Sequence, residues 1–282
     1  MAIAPRTAPI LLAMLALCLC LTDAQSQKAS SLFAQAAQST LDRDFPSESI
    51  SYLLLDARSE SVIAERWSNP EKPIPVGSLI KPFTAFAYAQ THREFPTVIC
   101  SGQHDSCWRP HGHGRINIAE AIANSCNAYF LQLANGIPLE RANVVLTSFG
   151  LPPVAAGNKS VTLAGLSSYW RVTPLSLARA YATFAREPHA HDPEIFAGLQ
   201  GSASTGTARA VSVAFPERSV LAKTGTAQCA HTLQGPADGF AVILYPADDP
   251  RIVLLTRKHG VTGATTAATA AAMLRSLEAG QQ

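Results

Sequence analysis

The chain has 282 residues, of which 47% are hydrophobic and 15% are charged. These proportions are typical of a folded globular protein with a sizeable core, and they exclude a largely disordered chain. The formal net charge of +2 is too small to indicate a polyanionic partner such as nucleic acid.

The first 24 residues have the pattern of a secretory signal peptide. A lone early charge, Arg6, precedes an uncharged apolar run from residue 10 to residue 21. Small residues follow at 22–24, which predicts cleavage after Ala24 and export to the periplasm. The apolar run is shorter than the roughly 20 residues that span a bilayer, so a retained membrane anchor is the alternative. Residues 25–49 are expected to form an N-terminal lead-in, as a short amphipathic helix or a mobile segment.

Two strands are predicted directly after this lead-in. Residues 50–56 and 61–66 are rich in apolar and β-branched side chains and flank a turn, a pattern typical of a β-hairpin. A proline-rich loop over 69–75 then leads to Ser78.

A serine and a lysine open the next apolar stretch, which predicts a buried helix over 78–90. Because Ser78 and Lys81 are three residues apart, they lie one turn apart on the same helix face. A hydroxyl beside an amine can form a nucleophile that uses lysine as its base. That role requires the Lys81 pKa to fall by about three units from its ordinary value, through burial and a second cation such as Lys223. A surface helix would also explain the spacing, but the apolar neighbours favour a buried one.

Four of the six cysteines remain once the signal peptide is removed: Cys100, Cys107, Cys126 and Cys229. Export to an oxidising compartment favours disulfides, and the local pair Cys100 and Cys107 is the predicted one. The alternative is a zinc site formed by Cys100, Cys107, His111 and His113. Its spacing matches none of the common zinc patterns, so we predict no bound metal. The sequence leaves open whether Cys126 and Cys229 meet.

The segment over 116–135 is long enough for a helix but is interrupted near Ser125-Cys126-Asn127. At such an interruption, Ser125 and Asn127 can both project into one cleft. Ser125 can then relay a proton, and Asn127 can orient a substrate amide. An ordinary helix cap would give the same S-x-N pattern, so the pattern alone leaves both interpretations open.

Helices and then strands are predicted in the rest of the chain. Helices are expected over 139–149 and 175–186, the second with Thr173 as its cap and Pro174 in its first turn. Three antiparallel strands and a final helix follow, over 219–227, 239–245, 251–256 and 264–279. Because strands occur at both ends with helices between them, we predict one α+β domain over 50–282. Its antiparallel sheet is built from both termini, with flanking helices and an inserted helical subdomain.

The sequence Lys223-Thr224-Gly225-Thr226 lies in the first of the late strands. Gly225 removes a side chain where another backbone must approach, so an extended peptide can add alongside this strand. Lys223, Thr224 and Thr226 then offer an ammonium and two hydroxyls to a carboxylate. Incidental hydroxyls near a turn are the alternative, but a charge, two hydroxyls and a bare backbone together favour a binding site.

In this order, the three segments resemble the motifs of the penicillin-recognising serine transferases and hydrolases, which are the penicillin-binding proteins and serine β-lactamases. The resemblance is closest to the transpeptidase domain of the large penicillin-binding proteins, and it covers about residues 50–277. Residues 77–83 resemble G-S-x-x-K-P-F, 113–127 resemble H-G-x-h-x…A-I…S-x-N, 172–182 resemble V-T-P-L-Q-L-A-x-A-Y-A, and 223–227 match K-T-G-T-A.

The resemblance implies a serine D-Ala-D-Ala transpeptidase or carboxypeptidase that acts on peptidoglycan stem peptides and uses no cofactor. Ser78 would attack the penultimate D-Ala carbonyl, Lys81 would be its base, and Ser125 would pass a proton to the leaving D-Ala. The backbone amides of Ser78 and Thr226 would form the oxyanion hole. β-Lactams would form slowly hydrolysed acyl-enzymes at Ser78. The substrate-binding residues would be Asn127, Lys223, Thr224, Gly225 and Thr226.

Departures from the family leave two alternatives open. Only about 25 residues separate the predicted cleavage site from the first strand, so the chain resembles a bare catalytic domain of β-lactamase size. A class A β-lactamase needs a deacylating glutamate, and no acidic residue lies between Arg141 and Arg186. A class D-like β-lactamase, with a carboxylated lysine at Lys81, is one alternative, although its members usually carry an apolar residue at the position of Asn127. A non-catalytic β-lactam or peptidoglycan sensor is the other.

The partners implied by the resemblance are stem peptides, β-lactams and a separate protein that polymerises glycan strands. Membrane contact is expected only if the signal segment is retained, and no nucleic-acid partner is expected. Other reaction classes have no support, because the sequence contains no P-loop, dinucleotide fingerprint, H-E-x-x-H or G-x-S-x-G motif.

Overall fold

The computed structural model describes residues 31–186, 193–216, 219–229 and 236–280. The predicted signal peptide and the first residues of the lead-in lie outside these ranges. Among the described helices, none combines the length and the apolar content that crossing a membrane requires.

Within the described residues, seven strands form two sheets. The strands are β1 (Ile50–Asp56), β2 (Val62–Arg66), β3 (Val98–Cys100), β4 (Gly114–Ile116), β5 (Leu221–Ala227), β6 (Asp238–Tyr245) and β7 (Ile252–His259). The main sheet has the order β2-β1-β7-β6-β5, and every neighbouring pair is antiparallel. The other two strands pair separately. The predicted α+β fold, with its sheet built from both ends of the chain, is confirmed.

Most of the helices lie between β2 and β5, where the inserted helical subdomain was predicted. The described helices are α1 (31–44), α2 (Lys81–Ala89), α3 (Ile118–Ala123), α4 (Asn127–Asn135), α5 (Leu139–Ser148), α6 (Lys159–Leu163), α7 (Pro174–Arg186), α8 (Pro193–Ser204), α9 (Ala210–Ala214) and α10 (Gly263–Ala279). Short 3-10 turns cover Gly77–Ile80, Gly102–Asp105 and Ala156–Asn158. The pair β3–β4 and the helices α6, α8 and α9 were not predicted.

The main sheet separates two apolar cores because successive side chains of a strand point to opposite faces. On β6, Phe240, Val242 and Leu244 pack into one core together with residues of α2, α4, α5 and α7. Ala241 and Ile243 pack into the other core with residues of α1 and α10. Both faces of the sheet are therefore covered by helices.

Four aromatic side chains join the helical subdomain beside the candidate site. The ring of Phe83 on α2 lies 5.1 Å from the rings of Phe149 and Tyr181 and 5.5 Å from that of Phe184, in edge-to-face contacts. All three neighbours come from the end of α5 or from α7. Because α7 also packs against β1 and β7, this cluster connects the start of α2 to the sheet.

Candidate active site

The turn that carries Ser78 is shaped by glycine and packs directly on β5. Gly77 has a φ of +57°, and a Cβ there would overlap the Thr226 carbonyl oxygen and lie 3.3 Å from the Thr226 nitrogen. The turn is a 3-10 helix, and α2 begins only at Lys81. Pro82 has no amide hydrogen to donate to the Ser78 carbonyl, four residues earlier. The Lys81 amide donates to that carbonyl instead, so the carbonyl has a partner. Ser78 is half-buried and lines a cleft.

Lys81 is fully buried, one turn after Ser78. Its Nζ donates to the side-chain oxygen of Asn127 at 2.7 Å, to the Ser125 carbonyl at 2.9 Å and to Ser125 Oγ at 3.3 Å. The Phe130 ring lies 5.5 Å from the same nitrogen. Burial lowers the pKa of Lys81 to about 7, because water no longer solvates the charged form. A substantial fraction of this amine is therefore neutral near neutral pH.

Ser125 lies where the predicted helix over 116–135 breaks into α3 and α4. Its φ of 52° is in the left-handed region that residues other than glycine rarely occupy. A capping box between Asn117 and Glu120 fixes the start of α3, and the left-handed residue ends the segment by turning the chain into α4. This geometry directs the Ser125 hydroxyl toward both Lys81 and Lys223.

Lys223 reaches the same hydroxyl from the sheet. It is 1% exposed on β5, and its Nζ donates to Ser125 Oγ at 2.9 Å and to the Thr224 carbonyl at 2.8 Å. Burial, together with the charge of Lys81, lowers the pKa of Lys223 well below its ordinary value. The structure thus brings two amines from distant parts of the chain to one serine hydroxyl.

The cleft between these elements has a volume of about 360 Å³. Its polar lining includes residues that the sequence singled out: Ser78, Ser125, Asn127, Thr224, Gly225 and Thr226. A Cβ on Gly225 would lie 2.8 Å from the Val76 carbonyl oxygen, so this glycine allows the Ser78 turn to contact β5. β5 is an edge strand of the main sheet, the position at which an extended peptide can add to a sheet.

Several residues in or beside the cleft were missed by the sequence reasoning. Thr207 accepts a hydrogen bond of 2.6 Å from the Thr224 hydroxyl, and Trp108 and Leu166 add apolar walls. Gly263 donates its amide to the Thr226 hydroxyl at 2.9 Å and so orients it. None of these four lies in a recognisable motif, and only the folded chain places them beside the predicted residues.

The predicted disulfide between Cys100 and Cys107 is not formed. Both are free cysteines. The Nδ1 atom of His113 lies 3.5 Å from each sulfur, so the imidazole ring is adjacent to both thiols. Cys126 joins this group, with its sulfur 3.9 Å from that of Cys107. Cys229 lies in a separate group with Asp238 and His259. His111 is exposed, so the zinc set considered from the sequence is not assembled either.

Comparisons with known proteins identify the family of this chain. The sequence matches the penicillin binding protein transpeptidase domain family over residues 21–277. No curated protein sequence matches the chain.

Three solved structures illustrate the shared fold. PBP2 of Pseudomonas aeruginosa, in complex with WCK 5153, has a TM-score of 0.72 at 17% identity, over 88% of this chain and 73% of that one. The transpeptidase domain of the FtsI4 D,D-transpeptidase from Legionella pneumophila has a TM-score of 0.66 at 20% identity, over 88% and 96%. PBP2 of Helicobacter pylori, in complex with MreC, has a TM-score of 0.71 at 16% identity, over 86% and 62%. Because the family match covers most of its length, this chain belongs to the penicillin-binding protein transpeptidase domain family.

Proposed function

We propose that this chain is a penicillin-binding serine D-Ala-D-Ala transpeptidase or carboxypeptidase that acts on peptidoglycan stem peptides through an acyl-enzyme at Ser78. The observation that carries the proposal is the position of the Ser125 hydroxyl. It accepts hydrogen bonds from both buried amines, at the wall of the cleft that Ser78 lines. A hydroxyl in this position can pass a proton between an amine and a reacting group.

In the first step, the neutral amine of Lys81 takes the proton of the Ser78 hydroxyl while the oxygen attacks the penultimate D-Ala carbonyl. The carbonyl electron pair moves to its oxygen, which the backbone amides of Ser78 and Thr226 stabilise. One such donor typically contributes roughly 3–4 kcal/mol to the transition state. Close packing of the Ser78 turn on Thr226 supports this pairing of amides.

In the second step, Ser125 gives its proton to the leaving amine nitrogen and takes the proton held by Lys81, the C–N bond breaks, and D-Ala departs. The Ser78 ester then reacts with an amine acceptor, which completes a transpeptidation, or with water, which completes a carboxypeptidation. The proton of that amine or water goes to Lys81, which gives it to the Ser78 oxygen when the ester C–O bond breaks. Every proton is thus accounted for by Lys81, Ser125 and the substrate.

The substrate's terminal carboxylate binds to Lys223 and to the hydroxyls of Thr224 and Thr226. Its negative charge favours the protonated form of Lys223 and so offsets the effect of burial on that amine. The hydrogen bond from Thr224 to Thr207 orients one of these hydroxyls. Gly225 leaves the strand backbone accessible to the extended peptide.

Covalent labelling of the full chain by a fluorescent penicillin tests the nucleophile. We expect Ser78→Ala to abolish labelling, because no other hydroxyl lies one turn before Lys81. The matched control is Ser204→Ala, at an exposed serine that does not line the cleft, and it should label like the original chain. Labelling that survives in Ser78→Ala would refute the assignment.

Release of D-Ala from a pentapeptide, with and without an amine acceptor, separates the activities. Release without acceptor indicates a carboxypeptidase, and acceptor-dependent product indicates a transpeptidase. Acylation by penicillin without any release of D-Ala would instead identify a sensor.

The class D-like β-lactamase is disfavoured by the surroundings of Lys81. Its Nζ already donates to oxygens of Ser125 and Asn127, which favours an unmodified amine over a carboxylated one. We therefore expect slow turnover of a chromogenic cephalosporin. Rapid turnover, on the order of tens per second, would move the assignment to a β-lactamase.

We also propose that residues 1–24 direct export to the periplasm and that residues 50–282 form the transpeptidase-like domain. The substrate class supports an extracytoplasmic location, because stem peptides are part of the cell wall. A glycan-polymerising protein is the proposed partner that supplies the strands to be linked. N-terminal sequencing of the protein recovered from the periplasm tests cleavage after Ala24.

A further inference from the structure

A buried cluster of sulfur and imidazole groups lies behind the cleft and has no part in the proposed mechanism. It consists of Cys100, Cys107, His113 and Cys126, and their four ligand atoms all lie within 4.8 Å of one another. The three cysteines are almost completely buried, with exposures of 1%, 4% and 0%. Three separate elements supply them: β3, the loop before β4, and the break between α3 and α4.

The distances within the cluster fit a tetrahedral metal ion. Zinc binds sulfur at about 2.3 Å and imidazole nitrogen at about 2.0–2.1 Å, which places two sulfurs about 3.8 Å apart and a sulfur and a nitrogen about 3.6 Å apart. The sulfurs of Cys107 and Cys126 are 3.9 Å apart, and His113 Nδ1 lies 3.5 Å from the sulfurs of Cys100 and Cys107. A disulfide would require sulfurs near 2.05 Å, so the cluster does not have that geometry.

Backbone amides surround the sulfurs in the way that thiolate ligands require. The backbone amides of Arg109, Asn127 and Ala128 favour negative charge on the Cys107 sulfur, and that of Tyr129 favours it on the Cys126 sulfur, where burial opposes it. Several of these donors are in the first turn of α4, where amides without helical partners favour negative charge. Such outer hydrogen bonds hold ligands in place around a metal ion.

Glycines shape the loop so that it returns His113 to Cys100. Gly112 and Gly102 have φ values of +73° and +83°. A Cβ on Gly112 would overlap the Cys100 carbonyl oxygen, and one on Gly102 would overlap that of Pro110. The loop therefore closes on itself without room for side chains at either position.

We propose that Cys100, Cys107, His113 and Cys126 bind one Zn²⁺ ion as a closed, tetrahedral structural site. On binding, the three thiols release their protons to solvent and the sulfurs and Nδ1 donate electron pairs, so no oxidation or reduction occurs. Four protein ligands complete the zinc coordination and leave no open position for a substrate. Because Cys126 lies between Ser125 and Asn127, the ion fixes the backbone that presents both side chains to the cleft. This inference does not depend on the proposed activity.

The test is the metal content of the full chain, purified after expression in zinc-supplemented medium. We expect one zinc ion per chain by elemental analysis, and intense visible bands of tetrahedral cobalt thiolate after exchange with Co²⁺. The variants Cys100→Ser and His113→Gln should lose the zinc and the cobalt spectrum. Cys229→Ser, a matched control at a cysteine outside the cluster, should keep both.

Several results would overturn the proposal. They are wild-type protein without zinc or a cobalt spectrum, a Cys107–Cys126 disulfide found by mass spectrometry, and zinc lost from Cys229→Ser but retained by Cys100→Ser. If a variant fails to fold, the wild-type cobalt spectrum still decides the question, because three thiolate ligands absorb more strongly than the one that Cys229 would supply with Asp238 and His259. Ser78→Ala should retain zinc while losing penicillin labelling, so failure of the activity and failure of the metal site are distinguishable.

Discussion

At the scale of single residues, the chemistry depends on removing Lys81 from water. All its described hydrogen-bond acceptors are neutral oxygens of Ser125 and Asn127, and no described carboxylate forms an ion pair with it. Burial disfavours the protonated amine, and this effect outweighs the opposing influence of the Cys126 and Cys107 sulfurs on the pKa of Lys81. With a pKa of about 7, about half of the Lys81 amines are neutral at pH 7, whereas an ordinary lysine would have about one in 3,000 neutral.

The pH dependence of acylation follows from this shift. The protonated form of Lys81 dominates below pH 7 and cannot accept the Ser78 proton, so the rate should rise with pH. We expect the second-order rate of penicillin labelling to increase about tenfold per pH unit below 7 and to level off above it. Lys72→Ala, at an exposed lysine, should keep the same profile. A rate that stays constant from about pH 6 to pH 9 would show that Lys81 is not the base.

Residue identities indicated the principal groups of the site but not their surroundings. Sequence reasoning could identify Lys81, Ser125 and Lys223, because each of them needs a particular partner to carry out acyl transfer. The structure brings the three together. Thr207 could not be selected, because nothing local distinguishes it from other threonines. The predicted disulfide between Cys100 and Cys107 was wrong, because only the folded chain places His113 and Cys126 beside these sulfurs.

At the scale of elements, the site depends on contact between the Ser78 turn and β5. The turn approaches the strand through two glycines, Gly77 and Gly225, and the Tyr181 hydroxyl donates to the Leu79 carbonyl at 2.7 Å from the other side. The turn is therefore held between β5 and α7. Backbone contacts set the position of the turn. Any side chain larger than hydrogen at Gly77 or Gly225 would disrupt these contacts.

Gly77→Ala tests this contact. The left-handed conformation costs a non-glycine residue about 1–2 kcal/mol, and the added Cβ would overlap the Thr226 carbonyl. We expect the free energy of unfolding to fall by at least about 2 kcal/mol, and penicillin labelling to slow about a hundredfold because the nucleophile is displaced. Gly157→Ala is the matched control, since a Cβ there meets no atom within 4 Å. Chemical denaturation and labelling rates measure both effects, and wild-type values for Gly77→Ala would contradict the explanation.

Helices and strands with strong local signals could be predicted, and those formed by long-range contacts could not. Thr173 and Pro174 predicted the start of α7, where the Ser176 amide donates to the Thr173 hydroxyl at 3.0 Å. The helix predicted from Ser78 begins instead as a 3-10 turn, because Gly77 and its contact with β5 determine the local backbone. The short strands β3 and β4 escaped prediction because their pairing depends on the loop between them.

At the scale of the whole molecule, the site lies where the sheet meets the helical subdomain. Ser78 and Ser125 belong to the helical part, and Lys223 belongs to the sheet. One apolar core spans both parts, since it contains Leu53 and Val242 of the sheet as well as helical residues such as Phe130. We therefore expect the two parts to unfold together, and the cleft to be lost in the same transition.

Phe83→Ala tests this cooperativity. Phe83 is completely buried, two residues after Lys81, and touches rings of α5 and α7. Removing a buried phenylalanine ring typically costs about 3–5 kcal/mol, because transfer free energy is lost and a cavity remains. Tyr169→Ala, at a side chain that is 86% exposed, should change the free energy of unfolding by less than about 0.5 kcal/mol.

The measurement is urea denaturation followed in parallel by far-UV circular dichroism and tryptophan fluorescence. Because α7 joins the Phe83 cluster to β1 and β7, the loss should move both curves to lower urea by the same amount. Two separated transitions, of which Phe83→Ala moves only one to lower urea, would mean that the helical subdomain unfolds independently of the sheet. In that case the core shared by the two parts would not hold Ser78 against β5. The contact between Gly77 and β5 would then have to maintain the cleft by itself.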